Sequence, residues 1–288
     1  VLDTVKQKTN DFFRKDKNTL YRGQRAKTKD HIKLAKEHGF NNMGAEIRIA
    51  DGEDGEDETD VKVNGKLFGA VKIGRLIAES EALAVVSHFK GHILFGFGGA
   101  LKNLSMGGAS RAGKLAMHSK VSPYVGDGCQ ACGICAEHCP ADAIRIEQGH
   151  ARIYNEACIG CAECIAVCPY GVIKVPFHGA TSPEAQERAA EYAAGAVKNK
   201  QCTYITFINN LTRHCDCLAD SEILGDDIGI IAGFDPVAMD QAAYDIVKQN
   251  NEQKDIFQEA GNPDGTTIIR RSEEIGIGSR DYELVYLD

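Results

Sequence analysis

Apolar residues recur at helical spacing over residues 27–40, where Ile32, Leu34 and Ala35 stand among Lys and Glu and Gly39 follows at the place of a left-handed stop. That pattern predicts a helix, preceded by a loop over 18–23. Residues 61–68 alternate around Asn64-Gly65, the signature of a tight hairpin. The run 83–89, Leu-Ala-Val-Val-Ser-His-Phe, is rich in strand formers and empties into a glycine-rich stretch over 91–113, the pattern of a buried strand feeding a loop. Further on, Thr181-Ser-Pro-Glu184 opens an alanine-rich helix to about Lys198, with a capping box and a first-turn Pro. Residues 202–208 and 228–232 read as strands, and Asp235-Pro236 starts a helix running through Val247. Strands alternating with helices on both sides of a cysteine-rich centre predict an α/β class fold.

Composition fits one large domain or two smaller ones: 288 residues, 43% hydrophobic and 26% charged. There is no secretory signal pattern and no apolar run near the ~20 residues of a membrane helix, so the expectation is a cytoplasmic protein without a membrane partner. With 33 basic and 41 acidic side chains the net charge is -8, which argues against a nucleic-acid partner, as does the absence of Trp. Residues 51–60 carry seven carboxylates in ten positions. They lack the closing Glu of a calcium loop and read as a solvated acidic loop. Because the first residue is Val1, the chain is expected to be a fragment, a processed product or a sequence that begins partway along.

Cysteine changes the picture most. Eight of eleven cysteines lie between 129 and 168, in two runs: Cys129-x2-Cys132-x2-Cys135-x3-Cys139-Pro140 and, 29 residues later, Cys158-x2-Cys161-x2-Cys164-x3-Cys168-Pro169. Paired Cys-x2-Cys motifs also make structural zinc sites, but three evenly spaced cysteines followed by Cys-Pro, complete in both runs, favour iron–sulfur chemistry. The region over 123–178 resembles dicluster bacterial ferredoxins, with a small hairpin around Gln148-Gly149. The resemblance implies two 4Fe-4S clusters: one on Cys129, Cys132, Cys135 and Cys168, the other on Cys158, Cys161, Cys164 and Cys139. The expected organisation is a layered α/β domain made of two segments, 1–122 and 179–288, with a small inserted α+β dicluster module over 123–178.

Outside that module the stretch from Ser87 to His118 gathers His, Lys, Arg and many Gly near the end of a predicted strand, where open α/β sheets bind ligands. Gly96, Gly98 and Gly99 would let amides approach an anion, with Lys102 and Arg111 supplying charge. The bland alternative is a mobile connection with solvated cations. Together with Asn18-Thr-Leu-Tyr-Arg-Gly23, Asp235-Pro-Val-Ala-Met-Asp240 and the place of the insert, the stretch resembles the domain of unknown function 362 family, many members of which carry a ferredoxin insert. The resemblance covers nearly the whole chain and implies that some of an N-terminal lobe is missing or divergent; the family name offers no reaction. A fainter resemblance links His92, Gly96-Phe97-Gly98-Gly99, Lys102 and His118 to nickel-pincer lactate racemases. It implies Lys102 as covalent cofactor anchor, His118 as nickel ligand and His92 as general acid/base, with no counterpart here for that family's other catalytic His.

Three cysteines fall outside the runs. Cys202 reads as a small buried hydrophobe, while Cys215 and Cys217 flank Asp216 beside His214 and are candidates for a metal, a dithiol or contact with the clusters, against a bland reading of inert loop thiols. Asp240 is expected on its helix facing solvent or the site, Asp220, Asp226 and Asp227 in loops, and His31, His38, His138, His150 and His178 at the surface. The functional expectation is an iron–sulfur redox protein, an oxidoreductase or its relay, passing electrons to or from a ligand in the α/β body. The alternative is an electron carrier or adaptor docking to a partner enzyme, and a third reading is a racemase-like pincer enzyme. A redox partner protein with a basic patch, or a small-molecule substrate, and an anaerobic or microaerobic host complete the expectation.

Overall fold

The computed structural model describes residues 13–20, 23–40, 45–119, 122–176, 180–216 and 221–287. In chain order the elements begin β1 (Phe13–Asp16), α1 (Thr28–Glu37), β2 (Glu46–Ile49), β3 (Glu58–Lys62), β4 (Ala70–Gly74), α2 (Arg75–Ala78), β5 (Ala82–His88), β6 (Lys90–His92), β7 (Gly96–Gly98), α3 (Ala100–Gly108) and α4 (Arg111–His118). The cysteine region holds β8 (Tyr124–Val125), α5 (Ile134–Glu137), β9 (Ile144–Glu147), β10 (His150–Ile153), α6 (Glu163–Val167) and β11 (Ile173–Lys174). Then come α7 (Ser182–Val197), β12 (Gln201–Ile208), β13 (Leu211–Thr212), β14 (Ile223–Gly225), β15 (Gly229–Gly233), α8 (Pro236–Asn250), α9 (Ile256–Glu259) and α10 (Thr266–Glu274). Mixed helices and small sheets make this an α/β fold. Among the described residues no helix is long and apolar enough to cross a membrane.

Two compact units divide the chain. The first comprises Val1–Asp60, Lys72–Glu79 and Ala109–Ala180; the second Val61–Val71, Ser80–Gly108 and Thr181–Asp288. In the first unit β1 and β2 pair in parallel, and β9 with β10 and β8 with β11 form antiparallel ribbons. The β9–β10 turn falls at Gln148-Gly149, both left-handed. Its core joins Leu20, Leu115, Ile144, Ile165, Ile173 and Val175 to Cys135, Cys164 and Cys168.

The second unit is built on a three-stranded sheet in the order β15-β12-β5, with β5 parallel and β15 antiparallel to β12. Alternation along β12 buries Tyr204, Thr206 and Ile208. Alanine gives α7 a slim buried face through Ala185, Ala189, Ala193 and Ala196. Its N-terminus carries the full Thr181–Glu184 capping box, and α8 is capped by Asp235, which accepts the Val237 and Ala238 amides. An aromatic group fills the centre: Phe97 stacks on Tyr244 at 5.1 Å, with Phe89 at 5.1 Å and Phe257 at 6.2 Å.

Four expectations need correction. The glycine-rich stretch is not a loop: it folds into the β6–β7 hairpin and the helices α3 and α4. The Asn64-Gly65 pair does not make a tight turn, because the amides of Lys66, Leu67 and Phe68 in the longer 63–69 connection all donate to the buried Glu191 carboxylate. The acidic stretch is not wholly solvated: Asp51 is fully buried and accepts the Asn18 amide at 3.0 Å. His31 is buried rather than exposed, its Nε2 lying 3.0 Å from Asp16.

Candidate metal centres

The two cysteine runs share a backbone as well as a spacing. Left-handed residues recur 29 positions apart at Ala131 and Gly160, Gly133 and Ala162, and Asp142 and Gly171. Gly133 and Ala162 immediately precede the one-turn helices α5 and α6, which carry Cys135 and Cys164 inward as buried side chains. A left-handed residue at each corner wraps the loop tightly enough for successive cysteines to line one shared space.

Two cavities result, about 320 and 330 Å3 with their mouths included. Cys129, Cys132, Cys135 and Cys168 line the first, among Val125, Val172 and Ile173. Cys139, Cys158, Cys161 and Cys164 line the second, among Ala143, Ile144 and Ile153. Each thus brings together three cysteines of one run and the fourth of the other. Amides point at the sulfurs: Ala151 N lies 3.3 Å and Ala131 N 3.5 Å from Cys129 Sγ, and Ala143 N 3.2 Å from Cys139 Sγ.

Electrostatics fit a metal-bearing group. Burial, with the neighbouring thiols behind it, pushes the Cys135 and Cys164 thiols up, and burial raises Cys161. For Cys168 burial acts upward too, but the amides of Val172, Tyr170, Ile173 and Gly171 together hold it below the ordinary thiol value. Four crowded thiols become stable thiolates only with cationic charge among them. No three His, Cys, Asp or Glu side chains among the described residues converge closely enough for a single ion. The quartets instead ring a space, which suits a polynuclear cluster better than zinc held by ~2.3 Å Zn–S bonds.

Beside the second cavity stands a buried ion pair. Arg111 Nη1 lies 2.7 Å from Glu163 Oε2, with side chains 1% and 6% exposed. Arg111 Nη2 donates to the Ala26 carbonyl at 2.6 Å. Burial raises the Glu163 carboxyl while Arg111 opposes the shift. Arg111 and His118 belong to the first unit; His92, Lys102, Gly96, Gly98 and Gly99 belong to the second.

In the second unit, the His92 Nδ1 accepts the amides of Leu94 and Phe95 at 3.1 and 3.2 Å, which puts the proton of the neutral ring on Nε2. Lys102 Nζ lies 5.9 Å from the Phe95 ring centroid. The amides at the start of α3 meet an internal carboxyl group: Asp240, 1% exposed, accepts Ala100 N at 2.6 Å and Leu101 N at 3.0 Å. Burial pushes its carboxyl up to about 7 against those two hydrogen bonds. A Cβ on Gly99 would run into that carboxylate and one on Gly98 into the Lys102 stem, so both glycines are needed for packing. Cys202 is half-buried on β12, its thiol raised by burial. Cys215 is half-buried; Cys217, His178 and Asp220 lie outside the described residues.

The family model described as "Domain of unknown function (DUF362)" matches residues 1–245. The chain belongs to the DUF362 family. Shorter stretches match curated proteins. An uncharacterized ferredoxin of Methanocaldococcus jannaschii is 35% identical over 66 residues, 22% of this chain and 40% of that protein. The electron transport protein HydN of Escherichia coli K12 is 44% identical over 41 residues, 14% and 23%. A component of the ion-translocating oxidoreductase complex of Methanosarcina acetivorans is 42% identical over 48 residues, 17% and 18%. The chain therefore spans less than half the length of each of these relatives.

Three groups in this DUF362 chain stand where local sequence did not place them. Glu163 was unremarkable between two cysteines, and its partner Arg111 lies 52 residues away. Asp240, expected to face solvent or the site, is instead buried against the first amides of α3. His88 is held between the Asp216 carboxylate, 3.1 Å from Nδ1, and the Asn209 carbonyl, 2.7 Å from Nε2, while Lys90 Nζ lies 2.9 Å from Asp216.

Proposed function

We propose that this chain is an iron–sulfur electron-transfer protein carrying two 4Fe-4S clusters, one on Cys129, Cys132, Cys135 and Cys168 and the other on Cys139, Cys158, Cys161 and Cys164. The observation that carries the reading is the pair of cavities, each lined by a cysteine quartet drawn from both runs. Each cluster, when bound, would take up and return one electron at a time. The chain's own contribution is to supply thiolates, to donate amides to their sulfurs, and to keep water off with Val125, Ile144, Ile153 and Ile173. The names of the relatives support an electron carrier that works with a redox partner protein. Cys132 is the exposed cysteine of the first quartet and offers an edge for that partner.

Anaerobic reconstitution tests the proposal. About eight irons and eight sulfides per chain, with the spectrum of reduced cubane clusters, are expected. Fewer than about six irons, or zinc alone, would overturn it.

A second reading, a redox-active ligand or cofactor in the α/β body fed by the clusters, rests on the fixed Nε2–H tautomer of His92 and on Lys102 beside Phe95. It predicts a chromophore, metal or Lys102 adduct in natively purified protein, lost in Lys102→Ala. Nickel and a modified Lys102 would point to the racemase-like version. Asp240 weakens the anion-binding version, since it already takes the Ala100 and Leu101 amides.

A further inference from the structure

The two cysteine runs match in spacing and in backbone, and they differ in charge at one buried position. Cys135 is preceded by Ile134; 29 residues on, Cys164 is preceded by Glu163. Ile134 is half-buried and apolar, whereas Glu163 is a buried carboxylate bound to the buried guanidinium of Arg111. Arg111 comes from α4, outside both runs, and is fixed in place by the Ala26 carbonyl and by Gly55, whose missing side chain leaves room for the guanidinium. No charged side chain lines either cavity among the described residues. A buried carboxyl–guanidinium pair one residue from Cys164, with Glu56 and Asp54 also acting on Glu163, is therefore a buried electrostatic feature of the second site that has no counterpart at Ile134. The Glu163 amide also donates to Cys161, tying the same residue to a second sulfur of that quartet.

We propose that the Arg111–Glu163 pair sets the reduction potential of the cluster on Cys139, Cys158, Cys161 and Cys164 apart from that of its mate. The proposal rests on the two-cluster reading above. Reduction adds one electron, hence one negative charge, to a cluster in a dry apolar shell; a neighbouring carboxylate opposes that charge and a guanidinium favours it. The two members of the pair act in opposite senses, and Ile134 exerts neither effect. Arg111 and Glu163 line neither cavity and act on the second cluster through their charge, without ligating iron.

The test is a redox titration with a chemical reductant, followed by electron paramagnetic resonance, on the reconstituted protein and on Glu163→Gln, Arg111→Gln, Arg111→Lys and the Glu163→Gln/Arg111→Gln double variant. Iron and sulfide are counted in every sample, and Cys168→Ser identifies the signal of the second cluster. Glu163→Gln is expected to raise the second cluster's potential, and Arg111→Gln to lower it, each by about tenfold in the reduced-to-oxidised ratio, about 59 mV for one electron. The first cluster should not move, Arg111→Lys should stay near the parent, and the double variant should fall between the singles. Loss of packing alone would not give opposite signs confined to one cluster. If Arg111→Gln fails to hold iron, Glu163→Gln and Arg111→Lys decide. Shifts shared by both clusters, of one sign, or absent at full iron content overturn the proposal, whereas parent protein with under about six irons overturns the two-cluster reading instead.

Discussion

Cys139 and Cys168 hold the same place in runs 29 residues apart, and each lines the cavity of the other's run. Neither loop can complete a quartet alone. Cys168→Ser is accordingly expected to cost about half the iron and the signal of the first site, leaving the second, while Cys139→Ser does the converse. Iron and sulfide assays with electron paramagnetic resonance check this. If Cys168→Ser emptied the site of Cys158, Cys161 and Cys164, the ligands would not be crossed.

Asp240 makes stability depend on pH in an unusual direction. Its buried carboxyl sits at about 7 against an ordinary 3.8, so the folded state prefers the protonated form. The unfolded chain ionises first as pH rises, and stability from this group is lost between about pH 4 and 7, by up to about 4 kcal/mol. Asp240→Asn keeps one acceptor oxygen, for Ala100 or Leu101 but not both, and has no charge to bury. Urea midpoints taken anaerobically at pH 5, 6 and 7 should fall in the parent and stay level in the variant; parallel curves would refute the assignment.

His88 works the other way. With Nδ1 on Asp216 and Nε2 on Asn209, both ring nitrogens donate and the imidazolium is favoured, with the Asp216 hydrogen bond as the main cause. A raised His value means stability fully present below about 6.5 and lost as pH climbs through the raised value. Asp216 is more than half exposed, so the effect is modest, about 0.5 kcal/mol. In Asp216→Asn the His88 midpoint, followed by histidine NMR, should drop; an unchanged midpoint would show that Asp216 is not the cause.

Glu191 holds the 63–69 connection by three successive amides and is itself paired with Arg271 at 3.0 Å. Glu191→Ala strands those donors and a largely buried guanidinium, and should cost about 3 kcal/mol in a denaturant titration. A loss under about 1 kcal/mol would mean that the connection finds other partners.

Local chemistry was readable and remote chemistry was not. The Thr181–Glu184 capping box and the Asp235 cap involve residues within three positions of each other, and both stand as their spacing announces. Asp51 and Asn18 are 33 positions apart, Glu191 and Lys66 125, Asp240 and Ala100 140. In each case an acidic side chain that composition assigns to water is buried because distant amides meet it. Glycine misled for a related reason: the density over 91–113 signals close packing by Asp240 and Lys102 as readily as it signals a loop.

The core of the first unit carries a further consequence. Leu20, Leu115, Ile144 and Ile165 are buried against Cys135, Cys164 and Cys168, the same sulfurs that line the two cavities. On the two-cluster reading, burying those leucines and isoleucines and loading iron are one equilibrium, so the first unit matures only as fast as iron and sulfide reach it. The second unit, centred on Phe89, Phe97, Tyr244 and Phe257, draws on no such supply. On that reading, iron scarcity would leave the core of the first unit unfinished and open to proteases.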